Sequence, residues 1–357
     1  MKTIQTNNYP IYFDGDAYIA LNAFILEKQP SKIIVLTDSN TAEFCLPIFL
    51  AKIKTSYPIL FYSIPNGEIY KTIDTSTKVW DFLSENKIDR DSLLVNLGGG
   101  VVSDLGGFVA GTYQRGISFV NIPTSLLAMV DASIGGKTGV DLGVLKNQIG
   151  ILHNPEIILI DTFYLKTLPK NEFFSGYAEM LKHGLIYSVD YWKKLSTSKP
   201  DELKNLDSFI YESIEIKNTI VAQDPKEKGV RKTLNFGHTL GHAIESHFLA
   251  DPIKKTLLHG EAIAIGIVLA ASLSHEMLNF SSSQLEEITT AYISCFSKVM
   301  FTKNDIDSII ELLQFDKKNK NGNIHFVLLF EIGNPKMDCI VSNELIFKAF
   351  EYYQESI

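Results

Sequence analysis

From Leu234 to Glu261 the chain reads LNFGHTLGHAIESHFLADPIKKTLLHGE, placing His238, His242, His247 and His259 together with Glu245, in a protein with only eight histidines. Imidazole and carboxylate groups at such density suit a metal ion or a polar substrate. His238 and His242 are four residues apart, so on a helix they share one face with Cβ atoms roughly 5–6 Å apart. Asn235 and Arg231 extend the same row backwards at spacings of three and four, which puts polar groups where a core helix carries leucines. Asn235 or Gly237 could equally open the helix, which would leave Arg231 in the preceding loop.

Three further stretches carry chemistry. In the run FFSGYAEMLKHGLI, ending at Ile186, Glu179, Lys182 and His183 fall on one helical face, and an ionised Glu among Phe, Met and Leu needs a cationic partner. Lys217 interrupts the apolar row Ile210, Ile214, Val221, so it either snorkels to solvent or meets a buried anion. GGGVVSDLGGF, Gly98 to Phe108, follows a strand-like run and offers close backbone approach to a phosphate, with a helix N-terminus behind it. A second glycine-lined loop, Ser133 to Gly139, carries Lys137 and is soon followed by Lys146 and Asn147. Together these resemble a catalytic metal site, but spacing alone does not choose among Glu179, Glu245, Glu261, His183, His238, His242, His247 and His259 as ligands.

The elements that must position these groups differ between the two halves. Up to Pro169, β-rich runs alternate with helical stretches: strands at Lys32–Asp38, Ile59–Ile64, Ser92–Leu97, Ser118–Ile122 and Ile157–Ile160, with helices over 41–54 and 70–86. That alternation predicts a mostly parallel α/β sheet. Beyond Pro169 long helical periodicities dominate, including Glu202–Ala222 and the very apolar Ala262–Ser272, with Ile324–Phe330 a strand or loop. The domains are therefore placed at 1–169 and 170–357. A formal charge of −8 with no basic face argues against nucleic-acid binding. Cys45, Cys295 and Cys339 are far apart and odd in number, so they make neither a CxxC metal site nor a disulfide framework, which fits a reducing compartment. With no apolar leader in MKTIQTNNYP, a protein of the cytoplasm, not of the membrane, is expected.

The chain resembles the 3-dehydroquinate synthase family of sugar phosphate cyclases in PNGEIYK (Pro65–Lys71), NLGGGVVSDLGGF (Asn96–Phe108), YQRG (Tyr113–Gly116), IPTSLLAMVDASIGGKTGV (Ile122–Val140), LKTLP (Leu165–Pro169), SGYAEMLKHG (Ser175–Gly184), LNFGHTLGHAIE (Leu234–Glu245), LHGEA (Leu258–Ala262) and DKK (Asp316–Lys318). The resemblance implies an N-terminal Rossmann-like α/β domain binding NAD, a mainly helical C-terminal domain carrying zinc, or cobalt in its place, and an active site in the cleft between them. It implies a homodimer that converts 3-deoxy-D-arabino-heptulosonate 7-phosphate to 3-dehydroquinate and phosphate by transient oxidation, phosphate elimination, reduction and aldol closure. Sister cyclases acting on sugar phosphates without a carboxylate, and metal-dependent polyol or glycerol dehydrogenases, are the alternatives.

Carried over motif by motif, the resemblance implies Glu179, His238 and His259 as metal ligands. It implies Asp38, Glu68, Lys71, Gly99, Gly100, Asp104, Thr124, Ser125, Leu127, Asp131, Lys137, Lys146 and Thr167 as cofactor contacts. Arg115, Lys137, Asn147, Lys182, Lys217, Arg231, Asn235, His242 and Lys317 or Lys318 would serve the substrate. Three departures stand out: Ser125 replaces the second threonine of a pair, GVLKN lacks the glycine that usually precedes the lysine at Lys146, and the span from the histidine motif to His259 runs a few residues long through PIKKTL. Lys217→Met is expected to cut turnover of a carboxylate-bearing substrate by about 100-fold or more while metal and NAD stay bound; steady-state kinetics beside direct binding titrations check this, and near-normal turnover removes Lys217 from the substrate set.

Overall fold

The computed structural model describes residues 1–198, 200, 203–251, 253–315 and 324–356. The chain divides into two compact units, Met1–Pro169 and Lys170–Ile357.

Unit one is built on a seven-stranded sheet with the order β1-β2-β9-β6-β5-β3-β4. Its elements are β1 (Ile4–Gln5), β2 (Pro10–Phe13), α1 (Asp14–Lys28), β3 (Ile33–Asp38), α2 (Ser39–Phe44), α3 (Leu46–Lys52), β4 (Ile59–Ile64), α4 (Ile73–Glu85), β5 (Leu93–Gly98), α5 (Gly100–Thr112), β6 (Ser118–Pro123), β7 (Lys137–Leu142), β8 (Leu145–Leu152) and β9 (Ile157–Ile160). All pairings in this sheet are parallel except β1 with β2. Parallel strands covered on both faces read as continuous apolar runs, and β3, β5 and β9 do so. Ile34, Leu36, Leu94, Val102, Leu105, Phe108 and Phe119 form the core on the face that α4 and α5 cover.

Two expectations for this half change. The helix expected over 41–54 is two helices, because the Asp38 carboxylate caps α2 through the Thr41 N–H and Pro47 falls in the first turn of α3. A proline is tolerated there but not in a helix interior. The second glycine-lined loop is in fact the start of an antiparallel hairpin, β7 with β8, whose register pairs Thr138 with Ile151 and Gly139 with Gly150. A Cβ on Gly139 would sit 2.5 Å from the Ile149 main-chain oxygen, so the two strands approach more closely than side chains allow.

Unit two comprises α6 (Lys170–Tyr187), α7 (Val189–Ser196), α8 (Leu206–Gln223), a 3₁₀ turn at Val230–Asn235, α9 (His238–Ala250), α10 (His259–Leu278), α11 (Ser282–Cys295), α12 (Lys303–Leu312), β10 (His325–Glu331), β11 (Asn334–Ile340) and α13 (Asn343–Glu355). The β10–β11 hairpin is antiparallel, and β11 had no counterpart among the elements expected from sequence. At the centre lies α10, packed against α6, α9, α11, α13 and β10. It is long and apolar enough to cross a membrane, yet Ala262 to Ser274 are buried inside the unit, as in a core helix. The polar row Arg231, Asn235, His238, His242 is not one helix: Gly237, at φ +78°, separates the 3₁₀ turn from α9. Only glycine takes that backbone conformation without cost.

The start of α12 is tied to α9 and the loop after it by one carboxylate. Asp305 accepts from the Thr302 N–H (2.9 Å) and hydroxyl (2.8 Å), and meets His247 Nε2 (2.9 Å) and Lys254 Nζ (2.8 Å). Burial alone would raise its pKa, but the Lys254 ammonium, then Thr302 and His247, hold it well below the usual carboxylate range. A carboxyl depressed in the folded state contributes stability above its unfolded pKa, about 4, and loses it as pH falls further. Asp305→Asn is therefore expected to lower stability by about 1–3 kcal/mol at neutral pH, with the gap to wild type closing below about pH 4; urea titrations across pH measure it.

Candidate active site

Close helix packing assembles a cluster of ionisable groups in unit two. A Cβ on Gly266 would lie 2.1 Å from the Gly237 main-chain oxygen, and one on Gly260 would lie 2.3 Å from Ser175 Cα. Backbone thus meets backbone where α10 crosses α9 and α6. That contact puts His238, the first residue of α9, and His259, the first of α10, beside Glu179 in the middle of α6. Glu179 is fully buried. Its Oε1 lies 3.5 Å from His238 Nε2 and 3.9 Å from His259 Nε2, and accepts no hydrogen bond. Its Oε2 pairs with Lys182, itself 1 % exposed.

The far side of each imidazole is already engaged. His238 Nδ1 lies 3.2 Å from the Phe236 carbonyl and His259 Nδ1 lies 3.0 Å from Glu245 Oε2. Such partners fix the tautomer and turn Nε2 towards a cation, as around metal-ligating histidines generally. His242 completes the group, its ring 5.1 Å from that of His238 and 5.7 Å from that of His259. One nitrogen from each of the three histidines lies within 4.8 Å of the others. A buried carboxylate oxygen without a donor, facing two imidazole nitrogens, is a donor set that fits a zinc-type divalent cation.

The remaining His and Glu candidates are occupied elsewhere. His183 Nδ1 meets Ser213 Oγ (2.7 Å), His247 meets Asp305, and Glu261 accepts from the Leu258 N–H (2.7 Å). Lys217 on α8 is only 6 % exposed, so it does not snorkel to solvent. Arg231 is buried in the 3₁₀ turn and donates from Nη1 to the Pro225 carbonyl (2.8 Å). Its N–H donates to Asp224, as do those of Lys228 and Gly229, and against the desolvation that would raise it these donors keep the Asp224 carboxyl below the usual range. Asn235 Nδ2 donates to Glu227 (2.7 Å). Lys317 and Lys318 lie outside the described residues.

Unit one holds the glycine loop and a dense charge network. Gly99 caps α5, Gly100 is its first residue, and a Cβ on Gly99 would meet Ser125 Oγ at 3.2 Å. Thr124 donates its N–H to the Gly98 carbonyl (3.0 Å) beside that turn. Leu127 and Asp131 belong to the short helical stretch that follows, and Thr167 ends the 3₁₀ turn at Thr162–Thr167. Elsewhere in the unit Lys71 Nζ lies 2.6 Å from Asp104 and 3.5 Å from Glu68, and donates to Asn147 Oδ1 (2.7 Å). Lys146 pairs with Glu68 and, at 2.8 Å, with Asp141. Burial would lower the Lys71 pKa, but Asp104, then Glu68 and Asp141, outweigh it and keep the ammonium charged. Asp141, 5 % exposed, is the member of this network that sequence reasoning missed. Asp38 caps α2 at the end of β3. Lys137 opens β7 with an exposed side chain, and Arg115 is exposed beyond the C-terminal end of α5, the opposite end from the glycine loop.

The fold defined by these two units is that of the sugar phosphate cyclases. It superposes on 2-deoxy-scyllo-inosose synthase complexed with carbaglucose-6-phosphate, NAD+ and Co2+, with a TM-score of 0.81 and 25% identity over 98% of this chain and 99% of that one. The 2-epi-5-epi-valiolone synthase ValA of Streptomyces hygroscopicus subsp. jinggangensis 5008, with NAD+ and Zn2+ bound, gives a TM-score of 0.82 at 22% identity, covering 99% of each chain. Residues 61–175 match the 3-dehydroquinate synthase N-terminal family and residues 176–319 the C-terminal one. The 3-dehydroquinate synthase of Parabacteroides distasonis is 38% identical over 338 residues, 94% of this chain and 95% of the relative. That of a Nitratiruptor species is 38% identical over 354 residues, 99% and 98% respectively. The chain belongs to the 3-dehydroquinate synthase family.

Glu245→Gln removes the carboxylate that orients His259 while keeping a group of the same shape. It is expected to weaken zinc binding by about 10–100-fold with little change in fold; competition with a chromophoric chelator measures the affinity, and circular dichroism the fold.

Proposed function

We propose that the protein is an NAD- and divalent-metal-dependent 3-dehydroquinate synthase, which converts 3-deoxy-D-arabino-heptulosonate 7-phosphate to 3-dehydroquinate and phosphate. The observation that carries this reading is the buried Glu179 carboxylate faced by His238 and His259 in a chain of this family. In it, unit one holds the nucleotide and unit two holds the metal, at Glu179, His238 and His259, together with the substrate. When bound, NAD supplies a transient oxidation that is reversed within the turnover, and the cation supplies Lewis acidity at the neighbouring hydroxyls.

The chain's own residues do the rest. Gly99 and Gly100 let the backbone approach a pyrophosphate at the start of α5, and Asp104, Glu68, Lys71 and Lys146 orient the nucleotide. Lys182, Lys217 and Arg231 present buried positive charge to a polyanionic substrate, where attraction is stronger than in water. That choice favours a substrate carrying both carboxylate and phosphate. Asn235 holds a hydroxyl, and His242, beside His238 and His259, moves a proton to or from the substrate. We extend the reading to a homodimer, which rests on the family resemblance, and to the cytoplasm, which suits three dispersed cysteines kept reduced.

Phosphate release from the heptulosonate phosphate, with catalytic NAD and zinc, is expected without NADH accumulating at 340 nm, and to stop on chelation. Light scattering on the same preparation gives its assembly. Accumulating NADH with a simple polyol, or phosphate release only from a sugar phosphate lacking the carboxylate, would move the protein to a sister activity.

A further inference from the structure

We propose that Asp141 is a positioning residue that sets Lys146 and Asn147 for nucleotide and substrate; the proposal rests on the cofactor reading above. Asp141 lies where the β7–β8 register slips, between Val140 and Leu142, so its main chain is released from the hairpin ladder. Its N–H donates instead to the Lys71 carbonyl (2.9 Å), and Thr72 and Asp141 form an isolated parallel bridge. Its side chain turns back to the hairpin tip, where the two oxygens divide their work. Oδ1 accepts from the Asn147 N–H (2.6 Å) and Oδ2 from Lys146 Nζ (2.8 Å).

These contacts close a ring. The Asp141 N–H meets Lys71, Lys71 Nζ donates to Asn147 Oδ1, and the Asn147 N–H returns to Asp141. Asn147 has φ +52°, a left-handed conformation that side chains disfavour and that asparagine tolerates comparatively well. A fixed acceptor on its N–H holds that conformation and with it the direction of the Asn147 side chain. The second oxygen fixes the Lys146 ammonium, which also pairs with Glu68. With Asp104 included, three carboxylates bracket two buried lysines. A carboxylate is needed at 141 because it alone accepts on both oxygens. An amide keeps an acceptor for Asn147 and turns a donor towards Lys146.

The two substitutions therefore separate the two roles. Asp141→Asn is expected to raise the Kd for NAD at least fivefold with KM for substrate within twofold. Asp141→Ala is expected to raise both at least fivefold and to remove hydrogen-exchange protection of the Asn147 amide, which Asp141→Asn keeps. NAD binding is titrated on the substrate-free, zinc-loaded protein, and exchange is followed by mass spectrometry on peptides covering β8. Should Asp141→Ala fail to fold, Asp141→Asn decides: NAD affinity equal to that of wild type overturns the role. Unchanged exchange and affinity in a folded Asp141→Ala overturn it too. Wild-type protein that does not bind NAD overturns the cofactor reading itself, and Asp141's part in nucleotide binding with it, even if Asp141→Ala still loses protection at Asn147.

Discussion

A carboxylate with no exposed surface is the constraint on which unit two depends. Removing Glu179 from water costs several kcal/mol unless opposite charge and oriented donors repay it, and every nearby feature supplies one or the other. Lys182 pairs with one oxygen, and the two imidazoles approach the second. Their approach requires α10 to press directly on α9 and α6, which Gly237, Gly260 and Gly266 permit. An alanine at any of the three would separate helices by more than the site tolerates, so the glycines are as much a part of the site as the charged groups.

The α/β half was largely legible. Buried parallel strands are apolar but for a few paired polar groups such as Asn96 and Asn121, and runs such as Lys32–Asp38 and Ser92–Leu97 announced β3 and β5 within a residue or two. The β7–β8 hairpin was not, because KTGVDL and LKNQIGIL mix glycines and charges, and Lys146 and Asn147 also take partners, Glu68 and Lys71, from distant chain. The row from Arg231 to His242 left two readings open, and the second holds: helical spacing continues through Gly237 but the backbone does not, so α9 opens there and Arg231 lies in the turn before it. Helix 41–54 failed at Pro47.

The site was legible in its residue types and not in their assignment. Periodicity placed Glu179, Lys182 and His183 on one face, but it could not tell that His183 turns to Ser213 and Glu179 to the histidines. Lys217 looked like either a snorkelling or a buried cation, and only packing around α8 decides for the latter. Motif resemblance named Glu68, Lys71, Asp104 and Lys146 of the charge network in unit one, yet passed over Asp141, whose importance lies in the two bonds of its side chain and the one of its N–H rather than in any motif.

The strand order of unit one has a consequence for biosynthesis. β9, the last strand of the sheet to be made, lies between β2 and β6, parallel to both. The pair β1 and β2 therefore has no route into the sheet until the chain has been made at least as far as residue 160. At about 5–20 residues per second that is a wait of roughly 8–30 s. Throughout it β2 has only β1 beside it, and once β6 is made its edge also stays open to wrong partners until β9 follows, so the nascent chain is most exposed to aggregation just before its central seam closes.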